Sequence, residues 1–276
     1  MNHPAIAPGR VAVITGGASG IGLAAAKRFI DTGMKVCIAD VDEAALAQAQ
    51  RALGANAIVV QTNVADLAQV ERLRDRVVDT FGEVGVLMNN AGTGGGGGPW
   101  SGYAGWQRVL GVNLWGVIHG VQTFSQLMID QGTPCAIVNT GSKQGITNPP
   151  GDTAYNVSKA AVKTLTEALA HQLRTLENCR ITAHLLVPGF TYTGLTKRRM
   201  TEKPPAAWSP EQVVEELLRR MGRGDFYIIC PDNDVTTAMD NARVQWNVDD
   251  IIKNRPALSR WHPEYAAEFA AYMQDV

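Results

Sequence analysis

The chain has 276 residues, of which 45% are hydrophobic and 18% charged, with a formal net charge of -1. That length suits one large α/β domain, and well-mixed Lys, Arg, Asp and Glu exclude a basic face for nucleic acid or a polybasic membrane patch. No apolar run approaches the roughly 20 residues that span a bilayer, and residues 1–10 lack an apolar signal core, so a soluble, cytoplasmic protein with a small-molecule partner is expected.

In chain order, residues 11–15 form a short β-branched run. Gly16-Gly17-Ala18-Ser19-Gly20-Ile21-Gly22 follows and opens a helical pattern over 23–32. Such a junction aims backbone N–H groups and the positive end of a helix dipole at one point, where glycines let a diphosphate approach. A tight βα connection with no ligand is the plain alternative. The second strand, 35–39, ends in Asp40. An acid there can accept hydrogen bonds from both adenosine ribose hydroxyls and would repel a 2′-phosphate, which favours NAD over NADP. Asp42 is the better cap for the helix that follows.

A third strand, 57–61, leads to Asn63-Val64 and a helix over 66–81. A fourth, 84–88, ends in Asn89-Asn90-Ala91-Gly92. Strands alternating with helices predict an α/β fold, a doubly wound parallel sheet of about seven strands in a single domain of the Rossmann type, with its ligand beyond the strands' carboxyl ends. The run 93–98 is too glycine-rich for a regular element and reads as a mobile loop at the site rim. A helix over 103–131 carries Asn113 in its middle, either facing solvent or binding water through its side chain or a locally opened backbone. The fifth strand, 134–140, is followed by Gly141-Ser142, and the sixth, 180–187, by Pro188-Gly189. Residues 194–208 resemble a substrate lid, 210–221 a helix, 225–230 a last strand, and 233–276 an aromatic-rich extension with a two-helix pattern broken near Pro256. Cys37, Cys135, Cys179 and Cys230 have no metal-ligand spacing and read as small buried hydrophobes.

Within the helix over 153–176, Tyr155 and Lys159 leave the same face four residues apart. An ammonium beside a phenol favours the phenolate, so Tyr155 is a candidate general acid/base with a lowered pKa. Taken alone, the pair also fits an amphipathic helix with a surface lysine. This helix and the one over 103–131 are apolar enough to seat a second subunit as a homodimer or homotetramer.

Together these residues resemble the single-domain short-chain dehydrogenase/reductase family: Thr15-Gly16-x-x-x-Gly20-Ile21-Gly22, Asp40, Asn89-Asn90-Ala91-Gly92, Asn113, Ser142, Tyr155-x-x-x-Lys159 and Pro188-Gly189 occur in order. The resemblance implies that Tyr155 exchanges a proton with the substrate oxygen, that Ser142 orients that oxygen, that Lys159 tunes Tyr155 and holds the nicotinamide ribose, and that Asn113 positions a relay water. It further implies Gly16, Ser19, Gly20, Ile21 and Gly22 under the diphosphate, Asn90, Ala91 and Gly92 beside the adenosine ribose, Asn63 and Val64 at the adenine, and Pro188, Gly189, Thr191 and Thr193 toward the carboxamide. Asn63 stands where the family usually has Asp, and the extension replaces the family's usual ending. The expected function is NAD-dependent oxidoreduction of a bulky, lipophilic or aromatic secondary alcohol or ketone. An NADPH-dependent carbonyl reductase and a non-catalytic dinucleotide-binding regulator are the alternatives.

Overall fold

The computed structural model describes residues 3–197, 202–274 and 276. Met200 and the rest of 198–201, part of the expected lid, lie outside the described residues. The first half runs β1 (Val11–Thr15), α1 (Gly20–Asp31), β2 (Lys35–Asp40), α2 (Glu43–Leu53), β3 (Ala57–Gln61), α3 (Leu67–Phe81), β4 (Val86–Asn89), α4 (Tyr103–Leu110) and α5 (Gly116–Asp130). It continues with β5 (Cys135–Thr140), α6 (Gln144–Thr147), α7 (Thr153–Thr175), β6 (Ile181–Val187), α8 (Gly194–Lys197), α9 (Pro210–Met221), β7 (Tyr227–Ile229), α10 (Thr237–Ile252) and α11 (Ala266–Gln274).

Local chemistry explains several boundaries. The Asp42 carboxylate accepts from Ala45 N at 3.0 Å and starts α2, as Asp66 does for α3. Ser209 and Gln212 form a capping box with Pro210 at the first turn of α9. The helix expected over 103–131 is divided by a π turn at Gly111–Trp115, and α6 is an added turn that the sequence pattern does not announce.

All strands pair in parallel in the order β3-β2-β1-β4-β5-β6-β7. Because strand side chains alternate, Ala12 and Ile14 face one layer with Phe29, Leu46 and Leu217, while Val11 and Val13 face the other with Leu73, Phe124 and Val162. Helices cover both faces, which is why β1, β4 and β5 are near-continuous apolar runs. The strand order reverses between β1 and β4, and the loops beyond their carboxyl ends open a crevice there. Cys37, Cys135 and Cys230 are buried and Cys179 is partly so.

The C-terminal extension folds against its own chain. Asn247 Nδ2 donates to Ile146 O at 3.2 Å, joining α10 to α6. Trp246 is 3% exposed and donates to Ser259 Oγ at 2.8 Å, with the Phe269 and Tyr272 rings 5.1 and 5.2 Å from its own. Arg255 stacks 4.0 Å over the same ring. These contacts give α10 and α11 a shared apolar centre beside the loop that follows β5.

Candidate active site

The first two turns of α7 carry Tyr155 and Lys159 on one face, with the Lys159 ammonium 5.8 Å from the Tyr155 ring centre. Lys159 crosses to the sheet and donates to Thr140 O, at the end of β5, at 2.7 Å. Two residues beyond Thr140, Ser142 hydrogen-bonds the Tyr155 side chain and accepts from Gln144 N at 3.2 Å. Three groups from two stretches, α7 and the loop after β5, thus converge at the carboxyl end of β5.

The electrostatics differ from the sequence expectation. Burial pushes the Tyr155 phenol above its usual value; the Ser142 hydrogen bond pulls the other way and the Asp152 charge adds to the rise. Burial also lowers Lys159 to about 8. Dehydration therefore sets the direction, with Lys159 not among the causes of the shift, and the lowered phenol pKa is corrected to a raised one.

Asn113 is 0% exposed, which removes the solvent-facing alternative. Its Nδ2 donates to Thr93 O at 2.9 Å and Ser158 Oγ at 3.0 Å, and its Oδ1 accepts from Thr93 N at 2.8 Å. Both carboxamide N–H groups are committed to protein, so a water held here would use the remaining acceptor site of Oδ1 or the backbone opened by the π turn. Ser158 in turn donates to Tyr155 O at 2.7 Å, so Asn113 braces the helix that carries the tyrosine.

The glycine run is tethered, contrary to the mobile loop expected. Asp152 accepts from Gly95 N at 2.6 Å, Gly96 N at 3.2 Å and Gly97 N at 3.1 Å, and also caps α7 through Tyr155 N at 3.3 Å. Arg108 donates to Gly95 O at 2.9 Å, and Trp106 Nε1 to Gly98 O at 3.1 Å. Asp152 was legible as a helix cap, but its bonds to residues 55–57 positions away were not. Thr93 and Ser158 carry no sequence signal of their own.

The expected dinucleotide residues line the same crevice. Gly16 has φ +62°, and a Cβ on it would stand 2.8 Å from Ala91 Cα; one on Gly22 would stand 2.2 Å from Gly16 O. Asn90 ties the ends of β1 and β4 together, donating to Thr15 O at 3.2 Å and Gly16 O at 3.3 Å. Ala91 N donates to Thr15 Oγ1 at 3.2 Å. A Cβ on Gly92 would lie 3.8 Å from the Lys159 ammonium, which puts that backbone beside Lys159. Asp40 accepts from Ala18 N at 3.2 Å and Asp42 N at 3.3 Å, standing beside the glycine loop.

Asn63 is exposed and its Oδ1 accepts from Ala65 N at 3.1 Å, forming a turn into α3. Val64 is buried, and its carbonyl is 2.8 Å from His119 Nδ1. On the far side, Pro188 and Gly189 follow β6. Thr191 donates to Gly189 O at 3.1 Å, and Thr193 lies 3.2 Å from where a Gly20 side chain would begin. Ser19, Gly20, Tyr192 and Thr193 line a cleft of about 300 Å³ at the start of α1.

A dinucleotide fits this donor set. Whereas α2, α3, α7, α9 and α10 each begin with a side-chain cap, α1 begins at Ser19 with none and with no acid in its first turn. Its first N–H groups therefore face the crevice as donors for an anion such as a diphosphate.

This arrangement is that of a nicotinamide-dinucleotide oxidoreductase of Rossmann fold. The sequence pattern of the family described as "short chain dehydrogenase" matches residues 10–204, and the chain belongs to that family. Among solved structures, a short chain dehydrogenase/reductase from Burkholderia phymatum in complex with NAD superposes with a TM-score of 0.82 at 36% identity, covering 91% of this chain and 97% of that one. The 3beta-hydroxysteroid dehydrogenase 2 of Eggerthella lenta is 34% identical over 73% of this chain and 79% of its own length. An NADP-dependent (R)-specific alcohol dehydrogenase of Lentilactobacillus kefiri is 34% identical over 68% of this chain and 75% of its own length.

Proposed function

We propose that this protein is an NAD-dependent dehydrogenase that interconverts a lipophilic secondary alcohol and its ketone, with Tyr155 as general acid/base. The observation that carries the reading is the convergence of Ser142, Tyr155 and Lys159 at the carboxyl end of β5, with the Lys159 ammonium 5.8 Å from the Tyr155 ring centre and bonded to Thr140 O. Ser142 and Tyr155 hold the substrate oxygen between them, and Tyr155 takes its proton during oxidation or returns it during reduction. NAD, when bound, supplies hydride transfer at its nicotinamide ring. Gly16, Ser19, Gly20, Ile21 and Gly22 hold the diphosphate, Asp40 the adenosine ribose, Lys159 the nicotinamide ribose, and Asn113 the geometry of α7. Tyr155→Phe keeps the ring and removes the transferable proton. We expect turnover to fall at least 1000-fold, roughly 4 kcal/mol in the barrier, while NADH still binds by fluorescence titration. Activity within tenfold of the parent protein would defeat the assignment.

The cofactor preference rests on Asp40, since relatives of both kinds exist. NAD should exceed NADP in kcat/KM by at least about tenfold, a margin of roughly 1.4 kcal/mol that a carboxylate facing a phosphate dianion supplies. Asp40→Ala should narrow the margin, and a parent preference for NADP overturns it.

The protein acts in the cytoplasm as a homodimer or homotetramer built on α4, α5 and α7. Trp115 and Val157, 52% and 42% exposed, offer the apolar surface for that contact. Residues 1–232 form the catalytic unit with a substrate lid at 194–208, and 233–276 completes the same unit by walling the substrate side.

A further inference from the structure

Beside the loop that carries Ser142 lies a cleft of about 250 Å³ between α6 and α10. Ile146, Val244 and Trp261 give it apolar walls, and Lys143, Arg243 and Arg260 bring positive charge to it. The charges are unevenly matched. Lys143 is held by Asp240 at 2.6 Å and Asp232 at 3.5 Å. Arg243 Nε is buried with no hydrogen-bond partner. Arg260 stacks 4.7 Å over Trp261 and 5.2 Å over Phe269, a placement that orients the guanidinium without neutralising it. Arg243 and Asp240 lie three residues apart on α10, and Asp240 is shared between the positive charge of Arg243 and that of Lys143.

Two arginines at one cleft repel each other, and burial makes the repulsion more costly. The closeness is visible in Arg260, whose pKa is lowered to about 10 first by burial and then by the Arg243 charge, with the Asp240 charge opposing both. Asp240 also lines the cleft and Asp232 pairs with Lys143, so three cations, Lys143, Arg243 and Arg260, face two carboxylates and leave an excess of positive charge that a further anion can join. Planar guanidinium groups match a carboxylate in a two-point contact. The cleft begins at Lys143, one residue past Ser142, so a group bound there is within a substrate's length of the reacting oxygen.

We infer that this cleft receives a carboxylate borne by the substrate, with Arg243 and Arg260 as the specificity-determining residues and Trp261, Ile146 and Val244 packing the adjoining hydrocarbon. The inference rests on the proposed alcohol dehydrogenase activity and narrows its substrate to a lipophilic secondary alcohol with an anionic end.

Two alcohols with the same reacting carbon separate the cases: 1-phenylethanol and 4-(1-hydroxyethyl)benzoate, each assayed with NAD. The parent protein should favour the carboxylate in kcat/KM by tenfold or more, chiefly through KM. The preference should weaken with added salt and fall toward one in Arg243→Gln/Arg260→Gln. Arg243→Lys, which keeps the charge and loses the fork, should retain part of it. Thermal unfolding of the double variant should change little, because Asp240 keeps its ion pair with Lys143 and the mutual repulsion of the arginines is removed; a large loss of Tm would mark the arginines as structural and overturn the proposal. Calorimetric titration of the parent protein with benzoate gives a readout free of turnover. Binding that disappears in the double variant supports the cleft even if neither alcohol is oxidised, in which case only the alcohol reading fails. No benzoate binding to the parent protein overturns the cleft, and binding without any preference between the alcohols overturns its assignment to the substrate.

Discussion

Lys159 is 4% exposed, and its ammonium donates to the carbonyl of Thr140. Burial lowers its pKa from 10.5 to about 8, so between those values the unfolded chain holds a proton that the folded chain has released. Stability therefore rises with pH from 8 to 10.5, and below 8 the folded protein carries the full cost of the buried charge. Lys159→Met should stabilise the protein at pH 7 by about 1–3 kcal/mol while abolishing turnover, because it exchanges a buried cation for a side chain of similar volume. Calorimetric unfolding at pH 7 checks this. A lower Tm would mean that the bond to Thr140 outweighs the dehydration of the ammonium.

Helix α7 is placed by its cap as much as by its apolar face. Asp152 both caps it and gathers the N–H groups of Gly95, Gly96 and Gly97, so one carboxylate joins the helix that carries Tyr155 to the loop beyond β4. Asp152→Ala should lose about 1–2 kcal/mol of stability, as cap removal does, and lower kcat/KM tenfold or more by freeing the loop. Asp152→Asn keeps a cap acceptor without charge. Since the Asp152 charge contributes to the raised Tyr155 pKa, the pH at which alcohol oxidation rises should move lower in this variant. An unmoved pH profile would leave Asp152 a purely structural role.

Across the whole molecule, the N-terminal segment is closed onto the amino ends of β5 and β6 by a chain of neutral histidines. Ala5 N donates to His3 Nδ1 at 3.2 Å, which leaves His3 Nε2 as the donor to Thr182 Oγ1 at 3.0 Å. Thr182 then donates to His184 Nε2 at 2.9 Å, and His184 Nδ1 to Asp225 O at 2.8 Å. Each tautomer follows from its partners, and protonating His3 would set two donors face to face at Ala5. Burial, with His184 adding to the effect, lowers His3 from 6.5 to about 4. The unfolded chain binds that proton first as pH falls, so stability should decline from pH 6.5 toward 4 by roughly 2–3 kcal/mol from this site. His3→Gln should flatten that part of the Tm-against-pH curve; an unaltered slope would assign it to carboxylates elsewhere.

The parallel sheet of about seven strands and the glycine turn after its first strand were legible because short-range rules write them: β-branched runs, caps and the 2.0 and 3.6 periods act over a few residues; the strand order is decided by tertiary pairing. The convergence of Ser142, Tyr155 and Lys159 was legible through the family resemblance and through the i, i+4 spacing on one helix. Charge balance was not. Whether the phenol of Tyr155 rises or falls depends on how much protein surrounds it, and burial is a sum over elements distant in sequence. The same holds for Asn113, whose side-chain partners Thr93 and Ser158 are 20 and 45 residues away, and for Arg243 and Arg260, which meet Lys143 only because α10 folds back onto α6. Local sequence decides which groups are available; tertiary packing decides which of them lose water and face one another, and that sets their charge.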